Sequence, residues 1–215
     1  MGLNIGDLAI DFNLNNANKK IGNRTLTMSE CFRENGLVVV FECNHCPYVV
    51  ASIDRMNLIS DYCKSRKIGF VGINSNDASV YSTDSFEHME KRAEKGMPYS
   101  YLFDETQEIA QAYGAKRTPE FFLFDQQKKL IYHGRMDDSP KDPNNVSKTE
   151  LKDAIERYKD KFNKKDNVPR PDHWSGWNLK PSSIEFWLDG DNRIHERLKY
   201  SLDKNNNWVK KLLSP

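Results

Sequence analysis

Leu37-Val38-Val39-Val40-Phe41-Glu42-Cys43-Asn44-His45-Cys46-Pro47-Tyr48-Val49 is the stretch on which the reading of this chain turns. Leu37 to Glu42 is a short apolar, β-branched run and reads as a buried strand. Two cysteines follow, three positions apart. From Tyr48 to about Arg66, the residues Val49, Ile53, Met56, Ile59, Tyr62 and Cys63 recur at spacings of three and four, which predicts an amphipathic helix. Cysteines three apart at the start of a helix share one helical face, at a separation that a disulfide accepts. The first sulfur is expected where helix N–H groups and the positive dipole end favour a thiolate. That thiolate would attack a disulfide and the second cysteine would resolve the mixed disulfide. Cys43 is therefore the predicted nucleophile and Cys46 the predicted resolving thiol. His45, between them, either favours the thiolate when protonated or points to solvent. Two other readings stay open at this point: a pair of inert core thiols, and a zinc site. The zinc site would need two further ligands, and Cys31 and Cys63 are isolated from each other.

Working outward, Ile68 to Asn74 reads as a second buried strand and Ser82 to Lys95 as a helix with Phe86, Met89 and Ala93 on one face. Asp104 to Tyr113 reads as a shorter helix capped by Asp104 with Gln107 three residues on. Glu120 to Asp125 and Lys129 to Gly134 look like an antiparallel hairpin. Ser147 to Phe162 reads as a final helix opened by Ser147 with Glu150 in a capping-box relation. Strands joined by helices, then a hairpin, predict a mixed α/β sandwich with parallel and antiparallel pairs. Thr118-Pro119 precedes an apolar strand, where the proline removes a ladder hydrogen bond. A cis bond there would make a strand-entry turn; an ordinary trans turn is the alternative. Asn163 to Pro171 is polar with two prolines and is the predicted linker. Residues 1–162 form the first predicted domain and 172–215 the second. In the second, Ser183 to Leu188, Arg193 to Leu202 and Trp208 to Leu213 read as a β-meander.

Composition sets the frame. Basic and acidic residues nearly cancel, at 32 against 31, so neither nucleic acid nor an acidic membrane is an expected partner. No apolar run is long enough to span a bilayer, and the first residues do not read as a secretory signal. Four cysteines in 215 residues are few for a disulfide scaffold. The cytosol is the expected compartment, where a close pair is catalytic or metal-binding rather than structural. Cys31 and Cys63 are expected to be buried apolar thiols, His88 and His133 surface or satisfied residues, and Arg135 with Asp137-Asp138 a local ion-pair cluster. The lysine-rich stretch from Lys159 to Lys165 reads as a solvated helix end.

A family resemblance covers residues 1 to about 162. It rests on Gly6-Asp7 with Asp11-Phe12-Asn13-Leu14, on Phe41-Glu42-Cys43-Asn44-His45-Cys46-Pro47-Tyr48-Val49, and on Gly72-Ile73-Asn74-Ser75-Asn76-Asp77. Tyr113-Gly114-Ala115, Thr118-Pro119 and Tyr132-His133-Gly134-Arg135-Met136-Asp137-Asp138 complete it. These resemble the thioredoxin-like superfamily, in the redoxin branch related to alkyl hydroperoxide reductase and thiol-specific antioxidant proteins. The resemblance implies a thioredoxin-like fold and a cis Pro119 facing the cysteines. Two departures matter. The threonine that peroxiredoxins place three residues before the peroxidatic cysteine is Val40 here, so disulfide exchange is expected rather than peroxidase activity. The buried aspartate of thioredoxins, six residues before the first cysteine, is Leu37. Glu42 is nearer the pair but is expected to point elsewhere in an alternating strand.

The tail resembles a different family. Pro171-Asp172-His173-Trp174-Ser175-Gly176-Trp177, Ile184-Glu185-Phe186-Trp187, Arg193-Ile194-His195-Glu196-Arg197, Trp208 and Leu213-Ser214-Pro215 look like the C-terminal end of pyridoxamine 5'-phosphate oxidase. That resemblance implies FMN contacts at Trp187 and Arg197, and contacts to the phosphorylated pyridoxine substrate at Arg193 and His195. Ser175, Asn178 and Leu188 depart from the Gly, Arg and Gln usual there, and the barrel that precedes this segment in that family is missing. The expectation is a thiol–disulfide oxidoreductase with Cys43, Cys46, His45, Thr118 and Pro119 at its centre and no required cofactor or metal. Its partners would be a disulfide substrate and a reducing thiol donor, with oligomer formation through the tail. An FMN-dependent function of the tail and a non-enzymatic redox-sensing interaction module are the alternatives.

Overall fold

The computed structural model describes residues 2–162, 180–188 and 196–213. The chain divides into two compact units, Met1–Val168 and Pro169–Pro215. The predicted linker over 163–171 lies outside the described residues, as do Arg193, His195 and the Trp-Ser-Gly-Trp stretch.

In chain order the first unit runs β1 (Asn13–Asn16), β2 (Thr25–Thr27), α1 (Met28–Cys31), β3 (Leu37–Phe41), α2 (Pro47–Val50), α3 (Ile53–Ser65) and β4 (Gly69–Asn74). It continues with a 3-10 turn (Ser82–Asp84), α4 (Phe86–Ala93), β5 (Ser100–Phe103), α5 (Glu108–Tyr113), β6 (Glu120–Phe124), β7 (Leu130–Gly134), a second 3-10 turn (Pro143–Asn145) and α6 (Glu150–Phe162). Its sheet has the order β2-β1-β5-β4-β3-β6-β7. β3 and β4 are parallel, as are β4 and β5, while β6 runs antiparallel beside β3 and β7 beside β6. The strand that opens the reading is therefore central and covered on both faces. Leu37, Val39 and Phe41 enter one apolar cluster with Val71, Ile73, Phe122 and Phe124. Val38 and Val40 alternate into the other, with Val49, Met56, Ile59, Phe121, Leu123, Leu151 and Ile155. A central strand buried on both faces reads as a continuous apolar run for this reason. Each such side chain contributes about 1.5–3 kcal/mol on burial.

Several elements differ from their sequence reading. The helix expected over Tyr48 to Arg66 is broken at Ala51-Ser52, where the Ser52 hydroxyl donates to the Pro140 carbonyl at 3.0 Å. Arg55, one turn on, donates to Ser139 and Pro140 and pairs with Asp137. The segment expected as one helix from Ser82 to Lys95 is a 3-10 turn followed by α4, whose cap is Ser85. Asp104 does not form a capping box with Gln107. Gln107 is itself the N-cap, at φ 63°, and Asp104 accepts instead from the Ile109 and Ala110 amides inside α5. Ser147 does not open α6 either. Its hydroxyl and amide bond Asp138, while Glu150 pairs with Arg135. The expected cluster of Arg135 with Asp137-Asp138 is thereby split among three partners. β1, β2 and β5 were not anticipated. β1 is polar and short, and it exists because Asn16 bonds backbone groups of the 18–23 loop and accepts from the Tyr101 amide of β5.

The second unit is a three-stranded antiparallel sheet of β8 (Ser183–Leu188), β9 (Glu196–Leu202) and β10 (Trp208–Leu213), in the order β10-β9-β8. Asp203 closes the β9–β10 turn by accepting from the Asn205 and Asn207 amides. Phe186, Trp187, Trp208 and Leu212 are exposed. Among the described residues no helix is long and apolar enough to cross a membrane.

Candidate functional site

β3 ends at Phe41, and the chain turns over the carboxyl edge of the parallel strands, where open α/β sheets place their sites. Glu42 still pairs with the sheet, its amide donating to Ile73 at 2.9 Å. Its carboxylate is fully buried and ion-paired with Arg92 of α4. Arg92 also donates to the Cys43 carbonyl at 3.0 Å and lies over the Tyr101 ring. Glu42 thus holds the arginine that anchors the cysteine loop, and it does so from inside the protein.

The four residues from Cys43 to Cys46 are held at each position. The Asn44 amide donates to Asp84 at 2.6 Å, its side-chain amide donates to Thr83, and its carbonyl oxygen accepts from Tyr101. The His45 Nδ1 lies 2.5 Å from the other Asp84 oxygen, which also accepts from Asn76 at 2.9 Å. The imidazole stacks on Tyr81, with ring centroids 3.8 Å apart and an angle of 7°. Asp84 is fully buried and Tyr81 is exposed. The ring of His45 is therefore fixed, and the solvent-pointing alternative does not hold.

Both sulfurs meet Thr118. Cys43 Sγ is 3.3 Å from the Thr118 hydroxyl, and Cys46 Sγ donates to the Thr118 carbonyl at 3.3 Å. The Thr118–Pro119 peptide is cis. The turn before it is held by Glu120, which accepts from the Lys116 and Arg117 amides and meets His133 at 2.8 Å. Beside these residues lies a groove of about 420 Å³ whose walls include His45, Cys46, Tyr81, Gln107, Arg117 and Thr118.

Cys43 does not sit at the helix N-terminus expected for it. α2 starts at Pro47, with Cys46 as its N-cap, so Cys43 precedes the helix altogether. Cys43 is fully buried, whereas Cys46 is half-buried and borders the groove. Burial pushes the Cys43 thiol above its ordinary value, against the opposing hydrogen bonds from Thr118 and the Cys46 backbone. Cys31 and Cys63 are buried in the two core clusters, and burial pushes each thiol up to about 12. All four cysteines are free. A Cys43 sulfur, a His45 ring nitrogen and an Asp84 oxygen lie within 4.8 Å of one another. His45 and Asp84 are bonded to each other and Cys43 to Thr118, and we assign no metal ligand among them. Asp84, Arg92 and Tyr81 are the residues that reading the sequence missed, while Asn76 stood in a quoted motif without a site role. The first three sit some 30 to 50 positions from the cysteines with no motif of their own.

In the tail, Trp187 and Arg197 face each other across β8 and β9. The Arg197 guanidinium lies 4.5 Å from the Trp187 ring centroid, and its Nε donates to Glu185 at 2.7 Å. The two groups implied to hold a flavin phosphate and a flat ring are thus engaged with one another and with a carboxylate. No flavin step is derived from these two groups.

Known proteins match the two parts separately. The Redoxin family matches residues 5–151, and the pyridoxine 5'-phosphate oxidase C-terminal dimerisation region matches residues 174–215. A pyridoxine/pyridoxamine 5'-phosphate oxidase of Pelagibacter ubique is 65% identical over 69 residues, which is 32% of this chain and 33% of that protein. The chain thus spans about a quarter to a third of the length of the curated relatives it matches. Among solved structures, an uncharacterized conserved protein from Geobacillus kaustophilus is 36% identical at a TM-score of 0.64, covering 72% of this chain and 83% of that one. The thioredoxin domain of a thiol-disulfide oxidoreductase from Bacteroides vulgatus is 15% identical at a TM-score of 0.53, covering 73% and 99%. The mixed sheet flanked by helices is a thioredoxin-like fold, with the three-stranded sheet as a separate addition.

Proposed function

This chain belongs to the Redoxin family over residues 5–151, and from that premise we propose that it is a thiol–disulfide oxidoreductase working through Cys43 and Cys46. The observation that carries this reading is the meeting of both sulfurs with Thr118 at 3.3 Å beside an open groove. A substrate disulfide lying in the groove is attacked by one thiol, and the second displaces it, leaving the pair oxidised and the substrate reduced. A reducing thiol donor then restores the pair, so the exchange draws on no cofactor of its own. His45 and Thr118 border the reacting sulfurs, and the cis bond to Pro119 follows Thr118.

The test is reduction of a protein disulfide such as insulin, with dithiothreitol as donor. Turnover by the full chain that disappears in both Cys43→Ser and Cys46→Ser supports the reading. Equal turnover by the two variants and the unaltered chain would sink it. The tail is proposed as an association surface. The matched family region is named for dimerisation, and the three-stranded sheet presents Phe186, Trp187, Trp208 and Leu212 unburied.

A further inference from the structure

We propose that the order of the two thiols is inverted: Cys46 receives the substrate, and Cys43 is the resolving thiol, deprotonated through His45 and Asp84. This rests on the exchange reading above and assigns the roles within it.

Access comes first. Thiol–disulfide exchange needs an attacking sulfur that a substrate sulfur can reach. Cys43 is fully buried in the apolar cluster of Val38, Val40, Val49, Met56 and Phe121. Cys46 is half-buried at the N-cap of α2 and borders the groove together with His45 and Thr118. The Thr118 carbonyl that accepts from Cys46 lies on the same wall.

The buried thiol then needs a base, because it must lose its proton inside the protein. A proton acceptor within hydrogen-bond reach, or one water away, meets that need. Cys43 Sγ lies within 4.8 Å of a His45 ring nitrogen and an Asp84 oxygen, a separation that one water can bridge. Asp84 is fully buried, bonds His45 Nδ1 and is steadied by Asn76. This pairing holds the imidazole beside the Cys43 sulfur. The other charged or titratable groups around the sulfur are Arg92 paired with Glu42, Tyr101, Tyr81 and Cys46 itself. The buried aspartate missing at Leu37 is thus replaced by one brought from a different loop. Asp84 is a positioning residue in this scheme.

The steps balance as follows. The Cys46 thiolate attacks one sulfur of the substrate disulfide, forming a Cys46–substrate disulfide and releasing the other sulfur as a thiolate, which takes a proton from water. Cys43 passes its proton to the His45–Asp84 pair and attacks the Cys46 sulfur. A Cys43–Cys46 disulfide forms, and the second substrate sulfur leaves and takes the proton back. Two electrons pass from the pair to the substrate, and a dithiol donor returns them.

The experiment uses the reduced full chain and an aromatic disulfide probe, with adducts located by peptide mass. Cys43→Ser is expected to accumulate a stable adduct on Cys46, and Cys46→Ser to form adduct at least about a hundredfold more slowly. Brief alkylation of the unaltered native protein is expected to mark Cys46 before Cys43, which settles the order without reliance on either variant's folding. In His45→Gln and Asp84→Asn, the ratio of resolution rate to capture rate is expected to fall about 10²-fold, with the remaining resolution rate rising with pH. First capture on Cys43 overturns the inverted order while leaving the exchange reading intact. An unchanged resolution-to-capture ratio in both relay variants overturns the base assignment. No adduct at either cysteine overturns this proposal and the exchange reading together.

Discussion

At the scale of single residues, the site is governed by buried polar groups that neutralise one another. Glu42 and Arg92 are the clearest case, with side chains 0% and 12% exposed. Breaking such a pair by removing one partner leaves an uncompensated charge and costs about 3–5 kcal/mol. Arg92→Met is therefore expected to lower the urea midpoint strongly and to loosen the cysteine loop, since the same guanidinium holds the Cys43 carbonyl. A midpoint within experimental scatter of the unaltered protein would count against this account. Local spacing marks the thiol pair and the histidine between them, whereas Thr118-Pro119 stands out only through the family resemblance. Asp84 and Arg92 were not legible. Each lies in an ordinary polar helix or turn, and only folding brings it to the loop.

At the scale of elements, strands were easier to read than helix ends. β3 and β6 follow apolar runs that two covered faces require, and β7 pairs with β6 as the half-covered edge strand. Caps were misread because a serine or aspartate near a helix start has several acceptors and donors in reach. Ser147 serves Asp138, and Asp104 reaches past Gln107 to the Ile109 and Ala110 amides while also accepting from Ser75. α5 contributes Ala110 and Gln111 to the groove wall. Asp104→Ala is thus expected to cost about 1–2 kcal/mol and to speed hydrogen exchange at the Ile109 and Ala110 amides. Unchanged protection at those two amides would show that the cap is made elsewhere.

At the scale of the whole molecule, two separately patterned units lie on one chain. The redoxin unit closes its own core on both sheet faces, whereas the tail sheet leaves large side chains uncovered. A chain ending at Val168 is expected to keep cooperative unfolding and disulfide turnover close to those of the full chain. On a sizing column the full chain is expected to elute as a dimer and the shortened chain as a monomer. Loss of turnover in the shortened chain, with folding intact, would place part of the active machinery in the tail.

The sequence by itself determined the central strand, the cysteine pair at its end, the late hairpin and the change of pattern near residue 168. Each of these is written in short-range alternation and spacing, which strands and thiol chemistry impose locally. Tertiary structure alone decided the polar edge strand β1, the partners of each would-be cap, and which of two neighbouring thiols is sealed from solvent. Those outcomes depend on groups tens of residues apart in the chain. Asp84 reaches His45 across 39 positions and Thr118 reaches Cys43 across 75. No local pattern records such meetings, because they are set by how the sheet and its covering helices close.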